Sequence, residues 1–440
     1  MKKIPVIDLF AGPGGLGEGF SQAGFDIRLS IEMDPIACET LRIRKFFHSL
    51  QDMVSSKYYY DFISRKITLE KLKEANTELW KDADSRVLNA ELGKKKDDQI
   101  IHERLDEILK DEDEFILIGG PPCQAYSLAG RSRRLGSRNL KSSETKTEEE
   151  VKEENSKLFY EDKRHKLFEE YIKIINRYNP GIFVMENVKG LGSAKSGIDH
   201  KNGSVFENIT EGLKDPGKIL DEENGLKYSL HSFVKSNRLS LDDDFTAASD
   251  FIIRCEDYGI PQSRHRIIIV GIRKDQNKTF LHPQPTHIKN YVSVKEVLEN
   301  PGISSNMPNH EMPISSPSVI ERLKHIKPGE NAWNADLPKH LQLNVKGAKL
   351  SQIYKRLHPK KPSYTLTGSG GGGTHGYHYK EPRPLTNRER ARIQTFPDNY
   401  FFCGPRTSQY VQVGNAVPPL LTRQMAAVVY EWAKRASLVG

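Results

Sequence analysis

Short apolar runs, each ending in a polar or glycine-rich break, recur along this chain. Val6 to Phe10 leads directly into Ala11-Gly12-Pro13-Gly14-Gly15-Leu16-Gly17, after which Leu16, Phe20 and Ala23 return at helical spacing. That order predicts strand, glycine turn and helix. A second run at 27–31 stops at Glu32, and a third, Phe115 to Ile118, enters Gly119-Gly120-Pro121-Pro122-Cys123. A fourth, Ile182 to Met185, stops at Glu186-Asn187, and a fifth, Ile267 to Val270, follows Gln262-Ser263-Arg264-His265-Arg266. Between them, residues 40–114 are charged and mostly helical in pattern. Leu167, Tyr171, Ile174, Ile175 and Tyr178 mark a helix that Asn179-Pro180 ends. A last helix is expected over about 416–436, packing back through Val417, Leu420, Met425, Val428, Val429 and Trp432.

Strands alternating with helices predict the α/β class, a doubly wound and mostly parallel sheet. The polar positions at 8–15, 32, 123 and 186 then fall at strand carboxyl ends, where ligands bind in such folds. From about 300 to 410 the texture becomes rich in Pro, Gly and Lys, with the tract Gly368-Ser369-Gly370-Gly371-Gly372-Gly373, and predicts a second, smaller, irregular domain. The division expected is 1–299, 300–411 and a returning C-terminal segment, 412–440. Residues 131–157 carry Arg131, Arg133, Arg134 and Arg138 and then an acidic stretch with Glu148 to Glu150, without apolar periodicity, and read as a mobile surface loop.

Composition narrows the class. The 440 residues are 37% hydrophobic and 28% charged, and no apolar run approaches the ~20 residues that span a bilayer. The N-terminus lacks the long apolar stretch and small-residue cleavage site of a signal peptide, so a cytoplasmic protein with no membrane contact is expected. Four cysteines, Cys38, Cys123, Cys255 and Cys403, lie far apart without a CxxC pair. This argues against a zinc site or a disulfide framework, and no metal is expected. The net charge of +8 is unevenly held: residues 251–440 carry 27 Lys plus Arg against 13 Asp plus Glu, +14, which leaves −6 for residues 1–250. A one-sided basic excess suits a polyanion, although a merely soluble basic surface gives the same count.

Several residues are candidates for chemistry. The glycine turn can cradle a nucleotide-like ligand, but its spacing is not that of a dinucleotide turn and no Walker lysine is present. Glu32 is placed to accept from a ribose diol. A lone cysteine is more often a buried small hydrophobe, yet Cys123 follows two prolines at a strand end, beside Gln124 and Ser127 and upstream of an arginine cluster that favours a thiolate. Glu186 ends an apolar strand, where a carboxyl must be paired, protonated or working. Arg264 and Arg266, at i and i+2, project from one face of an extended segment and suit a planar partner.

With these motifs the chain resembles the DNA (cytosine-5)-methyltransferases of bacterial restriction-modification type. The resemblance spans nearly the whole chain in order: Asp8 to Gly15, Gly120 to Gln124, Glu186 to Val188, Gln262 to Arg266, Arg383 to Glu389, and Gln412 to Pro419. It implies a Rossmann-like S-adenosylmethionine-dependent catalytic domain over 1–299, a target-recognition domain over 300–411, and 412–440 returning to the first. S-adenosyl-L-methionine, yielding S-adenosyl-L-homocysteine, is the implied cofactor. Its implied contacts are Asp8, Phe10, Ala11, Gly12, Pro13, Gly14, Gly15, Glu32, Met33, Glu91, Pro122 and Asn415, with Glu91 standing where the family usually offers an Asp. Cys123 is implied as the nucleophile at cytosine C6, Glu186 as the acid at N3, and Arg266 with Arg264 as the holder of O2. Gln124, Ser127, Arg131, Thr365 and Thr367 are implied to meet DNA.

The reaction expected is methyl transfer to C5 of a flipped-out cytosine in a specific duplex sequence, through a covalent Cys123 adduct. The partners are then double-stranded DNA, with the enzyme a monomer, and a cognate restriction endonuclease encoded nearby without a stable complex. The alternative from the same motifs is a tRNA cytosine-5 methyltransferase of the same fold. A catalytically silent DNA-binding scaffold would have lost one of Cys123, Glu186 or Arg266, and a nicotinamide dehydrogenase leaves the Pro-Pro-Cys run without a use.

Overall fold

The computed structural model describes residues 4–50, 53–122, 166–193, 205–220, 222, 225–234, 247–276, 282–344, 350–368 and 373–435. Its strands are β1 (Pro5–Leu9), β2 (Asp26–Glu32), β3 (Val87–Asn89), β4 (Ile116–Gly119), β5 (Ile182–Val188), β6 (Tyr228–Ser232), β7 (Ile252–Arg254), β8 (Gln262–Ser263), β9 (His265–Arg273) and β10 (Ser363–Tyr364). The first helices are α1 (Gly15–Gln22), α2 (Pro35–His48), α3 (Met53–Ile63), α4 (Leu69–Ala75), α5 (Thr77–Ser85), α6 (Lys95–Leu109), α7 (Lys166–Tyr178), α8 (Val205–Lys214) and α9 (Pro216–Ile219). They are followed by α10 (Val294–Glu299), α11 (Pro317–His325), α12 (Asn387–Ile393), α13 (Arg406–Asn415) and α14 (Pro419–Arg435).

The main sheet runs β3-β2-β1-β4-β5-β9-β6, with β7 also paired to β9. From β3 to β5 every pairing is parallel, while β9 runs antiparallel to both β5 and β6. The expected doubly wound α/β sheet is therefore present, and it is mostly rather than wholly parallel. The five residues of β1 are all buried, as a strand covered on both faces must be. On one face Ile7, Leu9, Leu29, Leu117 and Phe183 pack with Ile101 of α6 and Ile174 of α7. On the other, Val6, Ile27, Ile118 and Val184 pack with Phe20 of α1 and Leu421, Met425 and Val429 of α14.

Glycines explain how close α1 and the C-terminal segment come. A Cβ at Gly15 would collide with the Val417 carbonyl oxygen, and one at Gly19 with Thr422 Oγ1. Thr422 Oγ1 donates to the Gly15 carbonyl at 3.0 Å. Each helical glycine costs roughly 0.5–1 kcal/mol relative to alanine, offset here by packing that no larger residue permits. The C-terminal helix expected over about 416–436 is α14, and Pro418 and Pro419 separate it from α13, which ends at Asn415.

The helices between β2 and β3 form a small core of their own. Ile43, Phe46, Tyr59, Phe62, Leu72 and Ala83 close around Cys403 and Phe401. Tyr59 donates its hydroxyl to the Asn399 carbonyl at 2.6 Å, so this insertion holds the 399–403 stretch. Beyond β9, a cluster joins Val294 and Leu298 of α10 to Leu357, Leu366, Tyr379, Leu385 and Ile393, and another gathers Leu323, Ile326, Ala332, Leu337, Ile353 and Tyr377. Among the described residues, no helix is long and apolar enough to cross a membrane.

Candidate active site

Parallel strands β1 to β5 bring their carboxyl ends to one edge of the sheet. Strand β9 runs the other way, so its beginning, not its end, reaches that edge. The residues after β1, β2, β4 and β5 and those opening β9 consequently face one crevice.

At that edge Arg266 Nε donates to Glu186 Oε1 at 2.7 Å, with side chains 10% and 13% exposed. The register explains the contact: Glu186 pairs with Ile268 and Val188 with Arg266, which makes the two residues diagonal neighbours on one face. Arg266 also donates through Nη1 to the His265 carbonyl at 2.8 Å. The neighbouring loop is fitted to this pair. A Cβ at Gly120 would stand 2.9 Å from Glu186 Oε2, and Asn187 Nδ2 donates to the Pro121 carbonyl at 3.3 Å. Pro122 is half-buried at the same edge. Cys123, Gln124, Ser127 and Arg131 lie outside the described residues, as does the 131–157 loop. Burial pushes the thiols of Cys38, Cys255 and Cys403 up to about 12, so none of these three is a nucleophile at neutral pH.

Arg264 does a different task from Arg266. It is 1% exposed, and its guanidinium donates to the carbonyls of Gly414 (3.0 Å), Leu366 (3.4 Å) and Asn415 (3.4 Å). Burial, and then the positive charge of Arg266, hold its pKa below the usual guanidinium value. The alternation that would set it beside Arg266 ends at the break between β8 and β9, so Arg264 ties three segments together instead of facing the crevice.

The glycine turn is built from unusual backbone. Phe10 has φ 55°, Gly12 φ 55° and Gly14 φ 92°, so three left-handed residues fall within five positions. A non-glycine residue there is uncommon and marks a backbone held against its preference. Glu32 does the holding: Oε2 accepts from Gly12 N at 2.8 Å and Oε1 from Asp34 N at 2.9 Å. Burial raises its pKa, against the pull of these backbone donors. Each oxygen keeps a second lone pair for a diol. Met33 beside it is 60% exposed, an apolar side chain open to the crevice mouth. Glu91 is exposed after β3. Asn89, which the motifs did not single out, donates to the carbonyls of Glu32 and Met33, both at 3.0 Å.

Asp8 lies beneath the turn rather than in the crevice. It shares a face with Val6 and is fully buried, its Oδ2 3.0 Å from where a Gly17 Cβ would be. Ser30, Lys45, Glu18, His48, Gly14 and Tyr400 line the same small internal cavity. Burial pushes the Asp8 carboxyl up and the Lys45 ammonium down, while each charge pulls against the other's shift. Asn415 closes the other side. Ala416 and Val417 pack on Gly15, and a Cβ at Gly368 would collide with Asn415 Oδ1. At these strand ends a carboxylate on two backbone donors, a left-handed Phe10 and an exposed Met33 fit a nucleoside-bearing cofactor.

Four arginines of the basic C-terminal sequence are architectural. Arg356, Arg388, Arg390 and Arg392 are all buried. Arg388 donates to the carbonyls of Pro308 and Pro397, both at 2.9 Å, and of Tyr400, and Arg390 to those of Thr367 (2.9 Å) and His375 (2.7 Å). Thr386 caps α12 reciprocally with Glu389, which explains that motif as a helix start. Thr365, expected on the DNA face, spends its hydroxyl on the Ser263 carbonyl at 2.7 Å beside the β8–β10 pairing, and Thr367 gives its carbonyl to Arg390. Sequence reasoning missed Gln262 and Gln394 as partners: Gln262 Nε2 donates to Gln394 Oε1 at 2.5 Å, a side-chain meeting across 132 positions with no local signal.

Comparison with known proteins agrees with this geometry. The chain is 37% identical over 412 residues to the Type II methyltransferase M.BbvI of Brevibacillus brevis, covering 94% of this chain and 87% of that protein. It is 30% identical over 424 residues to the Type II methyltransferase M.NgoFVII of Neisseria gonorrhoeae, covering 95% and 84%. An E. coli crystal structure, provisionally described as a prophage-encoded DNA modification methyltransferase, superposes with a TM-score of 0.56 at 20% identity, over 98% of this chain and 100% of that one, and shares the fold. The family profile of C-5 cytosine-specific DNA methylases matches residues 4–63 and 74–431. With a family match over nearly its whole length, the chain belongs to the C-5 cytosine-specific DNA methylases.

Proposed function

We propose that this enzyme is the modification methyltransferase of a Type II restriction-modification system, methylating C5 of a cytosine flipped out of a specific duplex DNA sequence. The observation that carries the reading is the Glu186–Arg266 pair at 2.7 Å beside the glycine turn. S-adenosyl-L-methionine fits the crevice, with Glu32 for the ribose, Phe10 and Met33 for the adenine side, and Gly12 to Gly15 and Asn415 around the rest. When bound it supplies an electrophilic methyl group.

The chain's residues supply the other half. Cytosine C5 is a poor nucleophile within an aromatic ring. Addition of the Cys123 thiolate at C6, while Glu186 engages N3 and Arg266 holds O2, raises electron density at C5. After methylation a base takes the C5 proton as the C6–S bond breaks, which expels the thiolate and restores the ring. Both ring faces must be reached, so the base leaves the stack, at a cost of a few kcal/mol. Residues 1–299 form the catalytic part, 300–411 the part that reads DNA, and 412–440 returns to the first. Gln124, Ser127 and Arg131 belong to the DNA side, and the enzyme works as a monomer without stable association with its endonuclease.

Bisulfite sequencing of plasmid from cells expressing the protein tests the reading. Cytosine protection at one recurring sequence is expected. Unmodified plasmid alongside soluble protein, or methylation of tRNA instead, overturns it. Covalent capture on 5-fluorocytosine DNA should occur with the native chain and vanish in Cys123→Ser.

A further inference from the structure

We propose that Tyr400, which does not face the crevice, is a positioning residue for the cofactor turn. Three bonds that hold the turn come from the first 34 residues: Gly12 N to Glu32 Oε2 (2.8 Å), Ala11 N to the Ile31 carbonyl (3.1 Å) and Gly14 N to the Ala11 carbonyl (2.9 Å). Another comes from the far end of the chain. Tyr400 donates its hydroxyl to the Pro13 carbonyl, across 387 positions. A Cβ at Gly14 would be 3.0 Å from that same hydroxyl oxygen, so the phenol is seated directly under the left-handed residue of the turn.

The ring is fixed on every side. It is 0% exposed and packs on Phe396 (4.8 Å, edge-on) and Phe402 (5.1 Å), with the Arg44 guanidinium 4.8 Å from its centroid. Arg44 is itself locked on Glu18 of α1, Nε to Oε2 at 2.7 Å and Nη2 to Oε1 at 2.5 Å. The backbone of Tyr400 accepts from Arg388 and donates to the Pro397 carbonyl at 2.9 Å. Arg388 holds the Pro308 carbonyl as well, and Asn309 is bonded to Phe402 through both its side-chain atoms, Nδ2 to the carbonyl at 2.9 Å and Oδ1 from N at 3.0 Å.

The turn that the cofactor meets is therefore shaped partly by a segment anchored to residues 308–309, well outside the N-terminal strand and helix. A backbone with three left-handed residues relaxes when one of these restraints is lost. The hydroxyl accordingly sets the geometry of Pro13 and Gly14, and through it the affinity for the cofactor. This inference rests on the assignment of S-adenosylmethionine to the crevice.

The test measures S-adenosylhomocysteine binding by calorimetry without DNA, together with KM and kcat for methyl transfer, in the full chain carrying Tyr400→Phe. Tyr228→Phe is the matched control, because its buried hydroxyl donates to the Pro180 carbonyl at 3.0 Å in the opposite layer, away from the turn. Loss of one hydrogen bond predicts roughly three- to ten-fold weaker binding for Tyr400→Phe, an equal rise in cofactor KM and a kcat within about two-fold. Tyr228→Phe should lower Tm comparably and leave binding unchanged. If native protein binds and Tyr400→Phe binds equally well, the positioning role falls alone. Equal weakening in both variants reduces Tyr400 to general stability and also overturns it. Failure of the native chain to bind removes the cofactor assignment, and this inference with it.

Discussion

Glu186 and Arg266 meet at 2.7 Å although they lie 80 positions apart on strands that run in opposite directions. One comes from the end of its strand and the other from the start, and antiparallel pairing brings these two points to the same edge of the sheet. The contact leaves both groups only slightly exposed, so each is held ready without its partner being lost to water. Glu186→Gln keeps the shape and removes the ionisable group. Methyl transfer should fall by roughly 100-fold or more while S-adenosylhomocysteine affinity is kept, since proton-handling side chains contribute about 10²–10⁴. Radiolabel transfer and calorimetry on one preparation separate the two.

Gly120 tests how tightly the loop is fitted to that pair. A methyl group there would stand 2.9 Å from Glu186 Oε2, and the carboxylate, tied to Arg266, can yield only by bending the pair. Gly120→Ala should fold with a Tm close to native and lose about ten-fold in kcat, as a positional error near 1 Å costs up to about 10²-fold. A full-rate variant would show that the pair tolerates displacement.

Arg264 should behave as architecture. Its charge is answered by three carbonyls from two segments, so Arg264→Met leaves those oxygens unpaired and loosens the joint between the residue following β8, residue 366 and residues 414–415. A loss of about 3 kcal/mol in denaturant unfolding is expected. Arg264→Lys should rescue little of it, because one ammonium cannot reproduce the planar fork. Arg266→Lys, by contrast, should cost activity more than stability.

The ion pair under the glycine turn predicts a pH dependence. Burial alone would raise the Glu18 pKa, but Arg44 and then His48 outweigh it and hold the carboxyl far below its ordinary value of 4.5. A carboxylate with a depressed native pKa contributes stability that is whole above about pH 4.5 and drains away as pH falls toward the native value. Glu18→Gln should therefore be less stable than native by about 3–5 kcal/mol at pH 7, with Arg44 left buried and unpaired. The gap should narrow steadily below pH 4.5, as read from urea midpoints across pH.

Much of the site is legible in the sequence, and for a physical reason. A strand followed by a glycine turn, or an apolar run halted by Glu186, is a local pattern whose meaning rests on side-chain alternation and backbone sterics. Residues 186 and 266, the turn at 10–15 and Glu32 are all of this kind. Arg264 shows the limit. Spacing of i and i+2 predicts a shared face only while the strand continues, and the break after β8 turns its guanidinium toward residues 366, 414 and 415. The positions of Thr365 and Asp8 are likewise set by tertiary structure, one through the β8–β10 pairing and the other by facing the α1 side of the sheet.

The α/β class, the strands that end in polar or glycine-rich residues and the family are all written locally, because they follow from short-range periodicity and ordered motifs. The basic excess in residues 251–440 is equally plain from the order of residues, but not that Arg264, Arg266, Arg356, Arg388, Arg390 and Arg392 are buried within it. The antiparallel course of β9, the closure of α1 and α14 on glycines, and the reach of Tyr400 to Pro13 emerge with the folded chain alone. Those contacts join residues up to about four hundred positions apart, and no local propensity encodes a partner at that distance, because pairing of that kind is chosen by the packing of the whole.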